Sequence, residues 1–190
     1  MSKVTKKVVI LCGHHGKGTG ATANGLDEFM ENAWCSCALM VRLAELGYDV
    51  EVLSIQNYVE ENDGTNYMAR RQRALAKTDA DMIIAIHHNA HENLQAHGAE
   101  IFYYGDKSKV LTEVIAPHLQ YELGMKWRGV KRAGFAVLKE ANRLGIPAAY
   151  VEGGFLSNEA DAMRIGHVSW PDRLAKAIAD GVEDYKNAPK

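Results

Sequence analysis

The stretch "DMIIAIHHNA", Asp81–Ala90, decides how this chain is read. Met82–Ile86 runs apolar without interruption and then meets His87, His88 and Asn89. A short run rich in isoleucine reads as a strand, Met82–His87, covered on both faces, as in a parallel sheet between helices. Other strand-like runs surround it at Val8–Cys12, Asp49–Ile55, Ala99–Tyr104 and Ala148–Glu152, with a weaker one near Gly134–Leu138. Helical stretches alternate with them, roughly Leu26–Leu46, Asn66–Lys77, Lys107–Leu123 and Glu159–Asn187. In the first of these, Phe29, Ala33, Cys37, Met40, Val41 and Ala44 recur at helical spacing, Asp27 is placed to cap the start, and Gly47 stops it. The alternation predicts an α/β fold: one mostly parallel, twisted sheet of about six strands with helices on both faces.

At 190 residues the chain is expected to form one domain, residues 1–190 with a core from about 8 to 184. No repeat, low-complexity tract or linker divides it, so no separate second domain is expected. Charged residues make up 24% and the net charge is −2, which leaves no electrostatic footprint for nucleic acid or an anionic membrane. The apolar run after Met1–Lys7 is too short for a signal-peptide core or a membrane span, so synthesis in the cytoplasm without an export signal is expected. Cys12, Cys35 and Cys37 do not suggest a disulfide framework and read as small buried side chains.

In an open α/β sheet, functional groups gather at the carboxyl ends of the strands. The first strand runs into Gly13-His14-His15, the third into His87-His88-Asn89, and "AAYVEGGF", Ala148–Phe155, is apolar until Glu152. Glu28, fourteen residues after His14 at the entry to the first helix, is within reach of a loop that folds back. Two imidazoles and a carboxylate with a fourth position open form a recurrent catalytic zinc arrangement. Glu152, after a buried run where a carboxylate needs a reason, is a candidate proton carrier. The same groups also read as satisfied strand-end polar residues and a carboxylate that holds a turn, and the residues alone leave both readings open. His91, His97, His118 and His167 have no comparable placement.

The glycine-rich loop "CGHHGKGTG", Cys12–Gly20, invites a phosphate-binding reading, which fails on spacing. The residue after Gly16-Lys17 is Gly18, and the position five before Gly16 is Leu11, so no P-loop is present. Gly16–Ala21 fits the loose dinucleotide pattern, but Thr22-Ala23-Asn24-Gly25 separates it from the helix whose N-terminus would face a pyrophosphate.

With these residues in hand, the chain resembles the zinc-dependent N-acetylmuramoyl-L-alanine amidases of the amidase type 3 family, from about Val8 to about Asp184. Four blocks carry the resemblance in order: "ILCGHHGKGTGA", "NGLDEFMEN", "ADMIIAIHHNA" followed by "GAEIFYY", and "VEGGFLSN". The resemblance implies Zn²⁺ held by His14, Glu28 and His87, with Glu152 as the catalytic glutamate and Asn32 in the family's asparagine position. Leu11-Cys12 replaces the family's usual Asp-Pro, and His15 and His88 stand where the family has smaller residues. Because side chains alternate along a strand, one histidine of each pair is expected to face the metal. His15, His88, Asn89 and Arg132 are then candidate substrate contacts, or neutral neighbours, and an arginine of Arg70-Arg71 occupies a family position read as structural.

The implied reaction is hydrolysis of the amide between N-acetylmuramic acid and L-alanine in peptidoglycan, by a monomer acting on the wall after release, as in a phage endolysin or an autolysin. Two alternatives are another zinc amide hydrolase, carboxypeptidase-like, and a non-catalytic wall-binding module.

Overall fold

A computed structural model describes residues 6–53 and 66–187. Six strands form the main sheet: β1 (Lys7–Cys12), β4 (Asp49–Leu53), β5 (Met82–Asn89), β6 (Ala99–Tyr103), β7 (Trp127–Arg132) and β8 (Ala148–Phe155), in the order β4-β1-β5-β8-β6-β7. β4, β1, β5 and β8 run parallel; β6 pairs antiparallel with β8, and β7 runs parallel to β6. The expected α/β sandwich is therefore present, with a reversed pair at one edge.

Alternation along the strands sorts the core into two layers. Val8, Ile10, Ile84, Ile86 and Val151 meet α1 (Glu28–Glu45), α3 (Asp106–Leu123) and α6 (Trp170–Asn187) on one face. Val9, Leu11, Ile83 and Ala85 meet α2 (Tyr67–Lys77) and α4 (Ala136–Leu144) on the other. Both layers are needed to cover strands apolar on every residue.

The strand expected near Gly134–Leu138 is replaced by a helix. Val137, Leu138 and Ala141 bury one stripe of α4, and Gly145 ends it in the left-handed conformation. The edge strand is instead β7, whose charged residues hide its strand character. The helix expected over Glu159–Asn187 is two, α5 (Glu159–Ile165) and α6, broken at 166–169, with Pro171 in the first turn of the second. Of the strand expected over Asp49–Ile55, the last two residues lie outside the described residues.

The first helix begins at Glu28 rather than Leu26, because Leu26–Asp27 (β3) pairs antiparallel with Thr22–Ala23 (β2). Asn24 and Gly25, at φ of 50° and 78°, turn this hairpin, as an Asn-Gly pair favours. The Asp27 side chain accepts the Met30 N–H, which is the expected cap. Cys12 and Cys35 are buried as expected, whereas Cys37 lies on the exposed side of α1.

Candidate metal centre

The hairpin returns the chain to the end of β1. Glu28 N–H donates to the Ala21 carbonyl at 2.9 Å, and Ala21 N–H donates to Glu28 Oε2 at 2.9 Å. The carboxylate is thereby aimed at the strand ends, where Oε1 lies 2.9 Å from His14 Nε2 and 3.0 Å from His87 Nδ1. One ligand atom from each of His14, Glu28 and His87 lies within 4.8 Å of the others.

Local backbone chemistry makes the approach possible. His14 adopts φ of 65°, a left-handed conformation that costs an ordinary residue about 1–2 kcal/mol. Its carbonyl accepts the Tyr67 hydroxyl at 3.0 Å, which helps to hold that turn. Gly13 has no room for a side chain: a Cβ there would stand 2.6 Å from the His87 ring and 2.5 Å from Asn32 Nδ2. A Cβ on Gly20 would press within 2.8 Å of both His14 and Glu28. These glycines let two imidazoles and a carboxylate converge.

The electrostatics follow from burial and pairing. Burial alone raises the pKa of Glu28, but hydrogen bonds with His14 and His87 and from Ala21 outweigh it and keep the carboxyl well below its usual range. The hydrogen bond to Glu28 raises the pKa of His14, while burial lowers that of His87 despite the same partner. Glu28 is thus an ionised acceptor between two rings.

Two imidazole nitrogens and one carboxylate oxygen suit Zn²⁺. Tetrahedral ligands at about 2.0–2.2 Å from zinc stand roughly 3.4 Å apart. The 2.9 and 3.0 Å separations from Glu28 need to open by only a few tenths of an ångström, and the two imidazole donors lie within 4.8 Å of each other, so the donor set is one that suits the ion.

Glu152 sits beside this cluster. β5 and β8 pair His87 with Glu152 in register, so both point to the α2/α4 face. Glu152 is buried, and its Oε2 has no hydrogen-bond partner. Burial first, then the charges of Glu28 and Glu100, push its pKa well above the carboxylate range.

Of the other candidates, His15 stacks on Tyr67 with ring centres 4.3 Å apart, at the rim of the loop. His88 faces the opposite layer from His87. It is 1% exposed and bonds Asn32 Oδ1 at 2.8 Å, while its Nε2 accepts the Trp170 indole N–H at 2.9 Å. That placement is incompatible with substrate contact and makes His88 a packing residue. Asn89 donates to Glu100 Oε1 at 3.1 Å, and the exposed Arg132 lies over the Tyr104 ring at 4.5 Å. Arg71 is buried against Tyr67, 5.6 Å from its ring centre.

The strand-end rule missed Glu100. It pairs with Glu152 across the antiparallel β6–β8 ladder, and its carboxylate gathers Arg128 and Lys131 from β7. Because β6 and β7 run the opposite way, their amino ends flank the site. The signal in the sequence was Glu100 itself, a carboxylate between Ala99 and Ile101 in an otherwise apolar strand.

Residues 8–184 match the family model described as N-acetylmuramoyl-L-alanine amidase. The chain belongs to this amidase family. The N-acetylmuramoyl-L-alanine amidase LytC of Bacillus subtilis is 32% identical over 96% of the chain. The chain spans 36% of LytC's length. The CwlD amidase of Clostridioides difficile, solved in complex with the GerS lipoprotein, superposes with a TM-score of 0.87 at 25% identity, covering 96% of this chain and 99% of that one. An N-acetylmuramoyl-L-alanine amidase from Clostridium difficile 630 gives 0.82 at 26% identity, covering 99% and 100%. The two-layer fold around the mixed sheet is the one shared with these structures.

Proposed function

We propose that the protein is a zinc-dependent hydrolase of the amide joining N-acetylmuramic acid to L-alanine in peptidoglycan, with His14, Glu28 and His87 as the metal ligands and Glu152 as the proton carrier. The observation that carries this reading is the convergence of three zinc-type donors beside a buried carboxylate with an unpartnered oxygen. Bound zinc supplies a Lewis acid that polarises a carbonyl and makes water acidic near neutral pH. Glu28 and the two imidazoles fix that charge at the mouth of the sheet. Glu152 Oε2, free of other hydrogen bonds, takes the proton of the attacking water and delivers it to the departing alanine nitrogen. A pKa raised by burial makes the Glu152 carboxylate a stronger base toward water than an exposed one, and the proton it takes is the one it passes to the amine. The proposed working form is a single copy acting on the wall polymer.

The test is incubation of zinc-loaded protein with purified peptidoglycan, with and without chelator, scoring new L-alanine amino termini. Release is expected with zinc and not with chelator, and Glu152→Ala is expected to lower it at least about a hundredfold while zinc content is retained. Full release by Glu152→Ala, or none by the zinc-loaded wild type, refutes the assignment.

A further inference from the structure

The reversed edge of the sheet carries a second charged cluster beside the catalytic face. Glu100 is 3% exposed, and its Oε2 holds Arg128 Nε at 3.1 Å and Lys131 Nζ in a still shorter contact. Two residues three apart in a strand do not ordinarily reach one carboxylate. Here β7 carries an irregularity, since Ala99 pairs with Trp127 but Ile101 pairs with Val130, and Gly129 takes φ of 102°. The extra residue re-aims the strand so that both cations turn to Glu100.

One carboxylate offsets one cation, which leaves a net positive charge at this point. Lys131 stays 40% exposed, while Arg128, 27% exposed, buries its Nε against Glu100 and donates from Nη1 to the His97 carbonyl at 3.3 Å. Each is also braced on an aromatic face: Arg128 lies 4.8 Å from the Phe155 ring centre and Lys131 lies 6.0 Å from that of Phe102. A surplus cation, fixed in place and open to solvent, is suited to an anionic ligand.

Position limits what that ligand is. Adjacent strands lie about 4.8 Å apart, and Glu100 is the direct neighbour of Glu152. An extended peptide advances about 3.3–3.6 Å per residue, so the cations lie within one or two residues of a bond cleaved at Glu152. The lactyl carboxyl of the sugar is consumed in that bond, so free carboxylates of the substrate lie on its peptide side.

We propose that Arg128 and Lys131, held on Glu100, form a carboxylate-binding subsite that selects stem peptides bearing a free carboxylate one or two residues beyond the scissile amide. This rests on the amidase reading above and names the part of the substrate that the β7 edge recognises.

The test uses two synthetic N-acetylmuramoyl-L-alanyl peptides that differ in one group after alanine, a free carboxylate or its carboxamide. Zinc-loaded wild type is expected to prefer the carboxylate roughly tenfold in kcat/KM, carried mainly by KM, as one charge-assisted contact gives. In Lys131→Gln that ratio is expected to fall toward one, and Lys131→Arg, which keeps the charge, is expected to keep the preference. A wild-type ratio of one, or an unchanged ratio in a folded Lys131→Gln, overturns the subsite. Hydrolysis of neither peptide by zinc-loaded wild type overturns the amidase reading itself, and is distinguished from loss of preference by the absence of any product.

Discussion

Glu152 is held in a form that works against the fold. Its burial and the nearby charges of Glu28 and Glu100 raise its pKa, so the ionised carboxylate is destabilising in the native state and harmless in the unfolded chain. The protonated group is fully compatible with the fold below the ordinary value of 4.5, and that compatibility is lost as pH rises above it. Metal-free Glu152→Gln is therefore expected to melt above wild type at pH 8, by about 1–3 kcal/mol for removal of an unpaired buried charge, with the gap closing toward pH 4. Calorimetry in chelator measures it, and coincident melting at pH 8 rules it out. This residue was legible in the sequence because an acidic group closing an apolar strand demands a physical cause. Glu100 obeys the same logic but escapes the strand-end rule, which looks to carboxyl ends, because β6 presents its amino end.

At the scale of elements, β5 shows what alternation does with a histidine pair. His87 and His88 fall on opposite faces, one in the site and one in the core between α1 and α6. The Trp170 indole donates to His88 Nε2, so Nδ1 carries the proton toward Asn32 Oδ1 and the ring is neutral. Burial pushes the pKa of His88 down to about 4, against an ordinary 6.5. A depressed histidine contributes stability above 6.5 that is lost as pH falls toward 4, up to about 3 kcal/mol over that window. The metal-free His88→Gln variant is expected to lose stability less steeply between these pH values than wild type, as denaturant midpoints measure; parallel slopes would contradict a neutral buried ring. Which partner each histidine finds was not legible, since Trp170 is 82 residues away in sequence. The β7 edge is hidden for a different reason: its charged residues mask alternation, while the helical stripe of α4 follows it in sequence and mimics an apolar strand.

Across the whole molecule, the three candidate ligands come from separate parts of the fold. His14 follows β1, Glu28 opens α1, and His87 lies near the end of β5. A metal there ties a helix to two neighbouring central strands, so binding is linked to global unfolding rather than to a local loop. The order of these parts was readable from four sequence blocks, whereas their convergence depends on the Asn24-Gly25 hairpin that swings Glu28 back. An ion that binds only the folded chain adds about 2.7 kcal/mol at a free concentration a hundred times its Kd. For a domain near this size, that corresponds to roughly 5–10 °C in Tm. Zinc is expected to raise Tm by that order at pH 7.5, and the rise is expected to shrink toward pH 5 as protons compete for the imidazoles. His14→Ala is expected to lose the shift, and Glu152→Gln to retain it, because the glutamine leaves all three donors in place. A zinc-induced shift that survives His14→Ala would place the ion elsewhere, and the ligand assignment would fall with it.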